Sequence, residues 1–252
     1  MNLLKHSLLA FFICSSLASS ATLAGEAKAD IPVKREDAYY AEKYAENHAN
    51  IKKMNRKVDL VFVGDSITDY WRDSPSWKKY CEPHKALNLG ISGDKTENVL
   101  WRLQHGELDG YKAKLFVVMI GTNNENADLE VAKGIKAILE EIRKKQPQAK
   151  ILLLGIFPRS EKVDEEREKN VRVNKLIAKF DGGVVHYLDI GAKFLQADGT
   201  MSAEVMPDFL HPSEKGYEIW AKAIDASVKE MLIRRDISAP AGSGKNEQPV
   251  GR

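Results

Sequence analysis

The stretch Val58-Asp59-Leu60-Val61-Phe62-Val63 is a short, β-branched apolar run that ends at Gly64. A continuous apolar run of this length predicts a strand that is buried on both faces of a sheet. Four similar runs follow, at residues 86–89, 115–120, 151–156 and 184–190. Apolar residues at three- and four-residue spacing predict helices at residues 98–108, 129–145, 164–180 and 213–234. Because strands alternate with helices, the sequence predicts an α/β domain with a parallel sheet covered on both faces.

The composition excludes several classes of protein. The chain of 252 residues has 38 Lys and Arg against 36 Asp and Glu, with 43% hydrophobic and 29% charged residues. This balance is not that of a disordered chain or a membrane bundle. The net charge of +2 gives no case for nucleic-acid binding. Two cysteines exclude a disulfide-dense scaffold and a cysteine-based zinc site.

We expect one domain, over residues 30–235, because no stretch within it has the composition of an interdomain linker. The N-terminal extension of this domain, about residues 35–54, is polar with spaced aromatic positions. That pattern predicts a surface helix that packs one face on the domain. Residues 238–252 are Pro, Gly, Ser and polar residues without periodicity, which predicts a disordered tail.

The first residues have the character of a signal peptide, which we assign to residues 1–24. A charged start is followed by a short apolar run and by small residues, with cleavage expected after Ala21 or Ala24. The apolar run is about half the ~20 residues that cross a bilayer, so we expect no integral membrane segment. The sequence therefore predicts a secreted or periplasmic protein. A buried N-terminal helix and a lipid attached at Cys14 are the alternatives.

Cleavage of the signal peptide would leave Cys81 as the only cysteine of the chain. The mature protein could then form no internal disulfide, and its stability would come from its core. Cys81 is a candidate nucleophile, although a small hydrophobic core residue is the preferred interpretation.

The residues after the predicted strands carry the candidate chemistry, since ligands of open α/β sheets bind at the carboxyl ends of strands. Ser66 follows the first strand, in Gly64-Asp65-Ser66-Ile67. It is a candidate nucleophile at the mouth of a crevice, or alternatively part of a helix cap.

Two further loops offer hydrogen-bond donors. The stretch at residues 88–96 contains Gly90 and Gly93, whose backbone N–H groups can approach a ligand. It lacks the ending of a P-loop and the glycine spacing of a dinucleotide site, so nucleotide binding is discounted. After the third strand, Asn123 can donate from its side chain to a developing oxyanion, or serve as a turn former.

A fourth segment supplies a base. Asp208 stands three residues before His211, just ahead of the last predicted helix. An Asp at this spacing can hold the imidazole while the far nitrogen faces a nucleophile, although a capping Asp beside a surface His is the simpler alternative. Taken together, the four segments would place a nucleophile, an oriented base and oxyanion donors on one rim.

In these four blocks the chain resembles the SGNH (GDSL) hydrolase superfamily, in particular the branch of the catalytic subunits of platelet-activating-factor acetylhydrolase. The blocks stand at residues 64–67, 88–93, 121–124 and 208–211, and residues 98–103 also look like that branch. The resemblance covers roughly residues 58–232. Two positions depart from the usual pattern. Ile67 replaces a Leu, and Asn124 replaces the Asp that often follows the Asn of the third block.

The resemblance implies a fold and a role for each site residue. The fold would be a flavodoxin-like three-layer αβα sandwich with five parallel strands. Ser66 would be the nucleophile, His211 its general base, and Asp208 the residue that orients His211. The oxyanion hole would consist of the backbone N–H groups of Ser66 and Gly93 and the side-chain amide of Asn123. No metal and no organic cofactor is implied.

Three more polar residues are candidates for substrate contact. Asp65, next to Ser66, looks like a second catalytic acid, but we interpret it as structural, accepting hydrogen bonds from loop N–H groups. Asp94 and Asn124 are expected near the site, where they could contact substrate.

From this resemblance and the export signal we expect a secreted serine esterase that removes a small acyl group, acetyl above all, from an alcohol. An O-acetylated carbohydrate is the favoured substrate, and an acetylated phospholipid or other short-chain lipid ester is the alternative. A non-catalytic glycan-binding module on the same scaffold is a further alternative. A homodimer is expected from the same branch, which includes subunits that pair.

Overall fold

The computed structural model describes residues 28–233, which form one five-stranded sheet and the helices around it. The strands are β1 (Leu60–Gly64), β2 (Ala86–Asn88), β3 (Leu115–Met119), β4 (Lys150–Leu154) and β5 (Val185–Leu188). All neighbouring pairs are parallel, in the order β2-β1-β3-β4-β5. The sheet therefore has the strand order typical of flavodoxin-like folds.

Seven α-helices lie in the described part of the chain. They are α1 (Ala38–Lys53), α2 (Ser66–Asp69), α3 (Pro75–Tyr80), α4 (Thr96–Arg102), α5 (Asp128–Lys145), α6 (Glu165–Ile177) and α7 (Glu214–Ile233). No helix among residues 28–233 is long and apolar enough to span a membrane.

The sheet has a separate hydrophobic core on each face because successive side chains of a strand point in opposite directions. Val61 and Val63 of β1 join the core that packs against α1, α4, α5 and α6. Leu60 and Phe62 of the same strand join the core that packs against α2, α3 and α7. The arrangement is a three-layer αβα sandwich, which confirms the predicted fold class.

The strand order determines where the loops meet. The chain runs from β1 outward to β2, crosses back to β3 on the other side of β1, and continues to β4 and β5. The connections after β1 and β3 therefore leave adjacent strands at the point where the direction of winding reverses. In open α/β sheets this position forms the crevice that receives ligands.

Three local features differ from the sequence prediction. The short helices α2 and α3 were not predicted, because four to six residues are too few to show a helical period. The helix expected to reach residue 108 ends at Arg102 and continues as a distorted turn that is broken at Gly106, where φ is +106°. The last strand is shorter than expected and half-exposed, because β5 lies at the edge of the sheet.

Some expectations lie outside the described residues, namely the signal peptide at residues 1–24 and the tail at residues 238–252. Cys81 lies inside, and its thiol is buried among apolar side chains below α3 and α7. Burial raises the pKa of the Cys81 thiol, so it has the character of a core residue rather than of a nucleophile.

Candidate active site

Ser66 is the first residue of α2, immediately after β1. The turn after β1 requires glycine at position 64, because there is no room there for a side chain. A Cβ at that position would lie 2.2 Å from Thr68 Oγ1 and 2.5 Å from the carbonyl oxygen of Met119. Asp65 caps the new helix by accepting a hydrogen bond of 3.0 Å from the N–H of Ile67. The turn holds Ser66 at the carboxyl end of the sheet, with 4% of the residue exposed.

His211 and Asp208 complete a hydrogen-bonded chain with Ser66. The Nε2 atom of His211 lies 2.8 Å from Ser66 Oγ. Its Nδ1 atom lies 2.6 Å from Asp208 Oδ2. Ser66 and His211 are 145 positions apart in the sequence, and the fold brings all three residues together on the rim predicted from the sequence.

The loop around Asp208 explains how this geometry is held. The second carboxylate oxygen of Asp208 accepts hydrogen bonds from the backbone N–H groups of Leu210, at 3.1 Å, and His211, at 2.7 Å. Phe209 takes a left-handed conformation, with φ of +58°, so that the chain folds back within three residues. The same carboxylate thus fixes the loop with one oxygen and the imidazole with the other.

The charge of Asp208 follows from these contacts. Burial opposes its ionisation, but the hydrogen bonds from the imidazole and the backbone N–H groups outweigh burial and lower its pKa. A carboxylate at this position favours the tautomer of His211 that carries hydrogen on Nδ1. The lone pair of Nε2 then faces the hydroxyl of Ser66, as a general base requires.

Gly93 and Asn123 lie on the two neighbouring loops. Gly93 is exposed and has a φ of +81°, a conformation that favours glycine. The side-chain amide of Asn123 donates a hydrogen bond of 3.0 Å to the carbonyl oxygen of Asp94. An amide carries two N–H groups and this bond uses one, so the second can donate to another acceptor. Such donors at a crevice can stabilise a negative oxygen formed at Ser66.

Tyr70 is a site residue that the sequence did not reveal. Its ring centroid lies 5.1 Å from that of His211. Its hydroxyl lies 3.0 Å from Ser92 Oγ, next to Gly93. The residue stands four positions after Ser66 and has no motif of its own, so only the fold shows that it covers one face of the imidazole.

Two of the three candidate substrate contacts, Asp94 and Asn124, have buried side chains that bond to neighbouring parts of the chain. Asp94 is fully buried, and its carboxylate faces inward to the guanidinium groups of Arg102, at 2.8 Å, and Arg35, at 3.1 Å. The side chain of Asn124 accepts a hydrogen bond from the N–H of Thr96 at 3.0 Å and donates to Thr96 Oγ1 at 3.1 Å. Asp94 joins one loop to another behind the site, and Asn124 joins the loop after β3 to the start of α4.

Asp65 is also fully buried, as expected for a structural carboxyl. Burial raises the pKa of Asp65 to about 7, although the hydrogen bond from the N–H of Ile67 lowers it. With no exposed surface, this carboxyl supports the turn that presents Ser66 and does not meet substrate.

A buried arginine connects these loops, and no motif or period in the sequence indicates it. Arg102 has no exposed surface, and it forms ion pairs with Asp94 and Glu107. Its third nitrogen donates a hydrogen bond of 3.0 Å to the carbonyl oxygen of Gly64. Burial raises the pKa of Asp94 to about 6, and the guanidinium groups of Arg102 and Arg35 limit that rise. One side chain therefore connects the turn before Ser66 with the loop that carries Gly93.

Among residues 28–233, no three His, Cys, Asp or Glu side chains are grouped so that they could hold a metal ion. The described site offers a serine hydroxyl bonded to an oriented imidazole, with hydrogen-bond donors on the neighbouring loops.

Comparison with known proteins gives matches in sequence and in structure. The model of the GDSL-like Lipase/Acylhydrolase family matches residues 62–219. The chain is 40% identical over 209 residues to platelet-activating factor acetylhydrolase IB subunit alpha2 of Rattus norvegicus, covering 81% of this chain and 91% of that protein.

Two solved structures share the fold. One is described as a putative platelet activating factor from Streptococcus pneumonia, with a TM-score of 0.62 and 21% identity over 76% of this chain and 94% of that chain. The other is Est24, a carbohydrate acetylesterase from Sinorhizobium meliloti, with a TM-score of 0.54 and 18% identity over 69% of this chain and 99% of that chain. At these identities the structural matches carry the fold alone, whereas the sequence matches carry the family. The chain therefore belongs to the GDSL-like lipase/acylhydrolase family, in the branch of the platelet-activating factor acetylhydrolase IB subunits, and is an ester-hydrolysing serine hydrolase.

Proposed function

We propose that this serine hydrolase removes an acetyl group from an alcohol, with an O-acetylated carbohydrate as substrate and an acyl-Ser66 intermediate. The observation that carries the proposal is the continuous chain of hydrogen bonds from Asp208 through His211 to Ser66, at 2.6 and 2.8 Å. In this geometry a hydroxyl can lose its proton to an imidazole whose other nitrogen is already held by a carboxylate.

The reaction then proceeds in two halves. Ser66 Oγ attacks the ester carbonyl while its proton passes to Nε2 of His211, and the negative oxygen accepts hydrogen bonds from Ser66, Gly93 and Asn123. His211 returns the proton to the alcohol oxygen as the carbon–oxygen bond breaks. A water molecule then gives a proton to His211 and attacks the acyl group, which releases acetate and restores the Ser66 hydroxyl.

A groove beside Asn123 supports the preference for a polar alcohol. It has a volume of about 410 Å³, and each of its nine lining residues is polar, among them Asn123, Glu125, Arg159, Glu166 and Asn170. Arg159 donates a hydrogen bond of 3.2 Å to the carbonyl oxygen of Thr122 and pairs with Glu166 at 2.9 Å. Side chains of this kind offer hydrogen bonds to sugar hydroxyls. The proposed preference for an acetyl group is supported by two similar proteins, one named an acetylhydrolase and the other, Est24, a carbohydrate acetylesterase.

We expect hydrolysis of p-nitrophenyl esters to fall from acetate to butyrate to octanoate, and kcat/KM for an acetylated monosaccharide to exceed that for an acetylated phospholipid. Glu125→Ala, at the rim of the groove, should lower kcat/KM for the sugar ester by about 3- to 10-fold, equivalent to the loss of one hydrogen bond. Hydrolysis of p-nitrophenyl acetate should not change. Steady-state kinetics on the five esters give the comparison.

Glu140→Ala is the matched control, because Glu140 is an exposed residue of α5 that lines a different groove. It should leave all rates unchanged. Faster turnover of the phospholipid than of the sugar ester would reject the carbohydrate and favour the lipid alternative.

We also propose that the protein is exported, on the support of the signal-peptide pattern at residues 1–24. The protein isolated from its natural source should begin at residue 22 or 25, since cleavage is expected after Ala21 or Ala24. Intact-mass measurement and N-terminal sequencing test this directly. A cellular protein that retains all 252 residues would contradict export by this route.

A further inference from the structure

Arg35 lies in the segment before α1, outside the residues that match the family model, yet it reaches the loop that carries Gly93. One of its terminal nitrogens donates a hydrogen bond of 2.7 Å to the carbonyl oxygen of Ser92 and lies 3.1 Å from Asp94 Oδ1. Its Nε atom donates to Asp37 Oδ2 at 2.9 Å. The side chain is 21% exposed, so the guanidinium group is largely enclosed by these contacts.

The bond to Ser92 matters because of the peptide unit to which that carbonyl belongs. The carbonyl of Ser92 and the N–H of Gly93 are the two ends of a single peptide group, and this group is planar and trans. The two bonds therefore point in opposite directions. A guanidinium that holds the carbonyl at one end determines the direction of the N–H at the other.

Gly93 would otherwise leave this peptide free to rotate. Glycine adopts positive and negative φ almost equally well, and here its φ is +81°. The guanidinium of Arg35 packs directly on the glycine, since a Cβ at Gly93 would lie 3.2 Å from its nearest nitrogen. Arg35 thus contacts both ends of this link, the carbonyl oxygen of Ser92 and the Cα side of Gly93.

The same peptide lies between the candidate catalytic groups. Ser92 Oγ is 3.0 Å from the hydroxyl of Tyr70, whose ring packs on His211. On the other side, the carbonyl oxygen of Asp94 receives the amide of Asn123 at 3.0 Å. The residues on either side of Gly93 are therefore linked to the candidate site, Ser92 to His211 through Tyr70 and Asp94 to Asn123 directly.

We propose that Arg35 is a positioning residue that fixes the direction of the Gly93 N–H and polarises its peptide group, so that this N–H stabilises the oxyanion of the reaction. The proposal rests on the proposed esterase site, in which Gly93 is an oxyanion donor. A positive group at the carbonyl end draws electron density from the peptide and strengthens its N–H as a donor. Arg35 acts through the peptide and does not touch the substrate.

The surroundings of Arg35 keep it charged and in place. Burial opposes its charge, but the hydrogen bonds to Asp37 and Asp94 outweigh burial and raise its pKa. Asp37 is itself fixed, because its other oxygen accepts a hydrogen bond of 2.9 Å from the N–H of Tyr40 at the start of α1. The ring of Tyr40 lies under the guanidinium, 5.2 Å from its central carbon.

The test compares Arg35→Ala and Arg35→Lys with the unchanged chain on p-nitrophenyl acetate. Removal of an oxyanion donor lowers kcat by about 10²–10³-fold, and because the Gly93 N–H is disoriented rather than deleted, we expect about 10- to 100-fold for Arg35→Ala. KM should change by less than about 2-fold, since the contact is made in the transition state. Arg35→Lys can keep one bond to the Ser92 carbonyl and should retain an intermediate kcat.

Two further measurements separate positioning from a general loss of structure. Affinity for a phenylboronic acid, which forms a tetrahedral adduct with the serine, should fall in parallel with kcat. Added guanidinium at low millimolar concentration should restore part of the activity of Arg35→Ala. If that variant does not fold, Arg35→Gln and Arg35→Lys, judged by kcat and boronate affinity, decide the question.

Lys34→Ala is the matched control, because Lys34 is the neighbouring cation, is 49% exposed and pairs only loosely with Glu36 at 3.8 Å. It should leave kcat unchanged. Equal kcat and boronate affinity for Arg35→Ala and the unchanged chain would overturn the proposal, as would a loss confined to KM. If Ser66→Ala is inactive and Arg35→Ala is fully active, the positioning role of Arg35 alone is rejected. If Ser66→Ala retains activity, the esterase site itself is rejected.

Discussion

Ser66→Ala is expected to lower kcat for p-nitrophenyl acetate by about 10⁴- to 10⁶-fold, to a residue of catalysis from the oxyanion donors and binding. The reason is geometric. The hydroxyl of Ser66 stands at hydrogen-bond distance, 2.8 Å, from the imidazole nitrogen that can take its proton. Without that oxygen no acyl-enzyme can form. Hydrolysis would then require direct attack by water, a nucleophile that is not held against the ester as Ser66 Oγ is.

The folded state should tolerate this change. Ser66 is a helical residue of α2, where alanine has a favourable propensity, and the side chain loses one hydrogen bond. We expect the free energy of unfolding to change by no more than about 1 kcal/mol, which urea titration measures. A large loss of activity with an unchanged unfolding midpoint would then be chemical in origin.

Covalent labelling gives the complementary experiment. A fluorophosphonate should modify the unchanged chain on the peptide that contains Ser66, and it should leave Ser66→Ala unmodified. Ser202→Ala is the matched control, because it removes a serine hydroxyl in the loop between β5 and α7. This variant should be labelled normally. Comparable hydrolysis of acetate by Ser66→Ala and the unchanged protein would show that Ser66 is not the nucleophile.

The sheet could be predicted from the sequence because the strands are buried on both faces. A run such as residues 58–63 admits few interpretations, and the strand lies at Leu60–Gly64. The amphipathic period of residues 129–145 was equally informative, and α5 spans Asp128–Lys145. Parallel strands bring their carboxyl ends to one edge, so polar residues after successive strands could be expected at that edge, where Ser66 and Asn123 follow the adjacent strands β1 and β3.

The buried contacts behind the site, made by Arg35, Arg102 and Asp94, could not be predicted in this way. The contact of Arg35 with Ser92 spans 57 positions and follows no period or motif. Arg102 lies in a helix whose pattern gives no reason for a charged residue without exposed surface. The direction of a loop side chain depends on such partners, which is why Asp94 was expected to be a candidate substrate contact and instead points inward.

Arg102→Met is expected to lower the free energy of unfolding at pH 8 by about 3–5 kcal/mol, the usual cost of removing one partner of a buried ion pair. Methionine keeps the unbranched apolar stem of the side chain and lacks the guanidinium group, so the substitution removes the charge together with its hydrogen bonds. Asp94 and Glu107, both buried, would be left without the cation that lies between them. The carbonyl oxygen of Gly64 would also lose its hydrogen bond of 3.0 Å.

The loss should depend on pH in a defined direction. The pKa of Asp94 is about 6 in the folded protein, above its ordinary value of 3.8, and the guanidinium of Arg102 limits that rise. Without Arg102 the pKa of Asp94 rises further, so the folded variant binds a proton that the unfolded chain has released. Where the folded state holds more protons, stability falls as pH rises. The difference between variant and unchanged chain should therefore shrink as pH is lowered from 8 to 5.

Urea titrations at several pH values measure this difference. Arg172→Met is the matched control, because Arg172 also pairs with two carboxylates, Asp128 and Glu165, but at the surface, where we expect a small loss of stability with little dependence on pH. Addition of Asp94→Asn to Arg102→Met removes a charge that no longer has its main partner. It should therefore cost less than Asp94→Asn alone, and it can restore stability. A loss for Arg102→Met that is small, or equal at pH 5 and pH 8, would mean that the buried carboxylates do not depend on Arg102 for their charge.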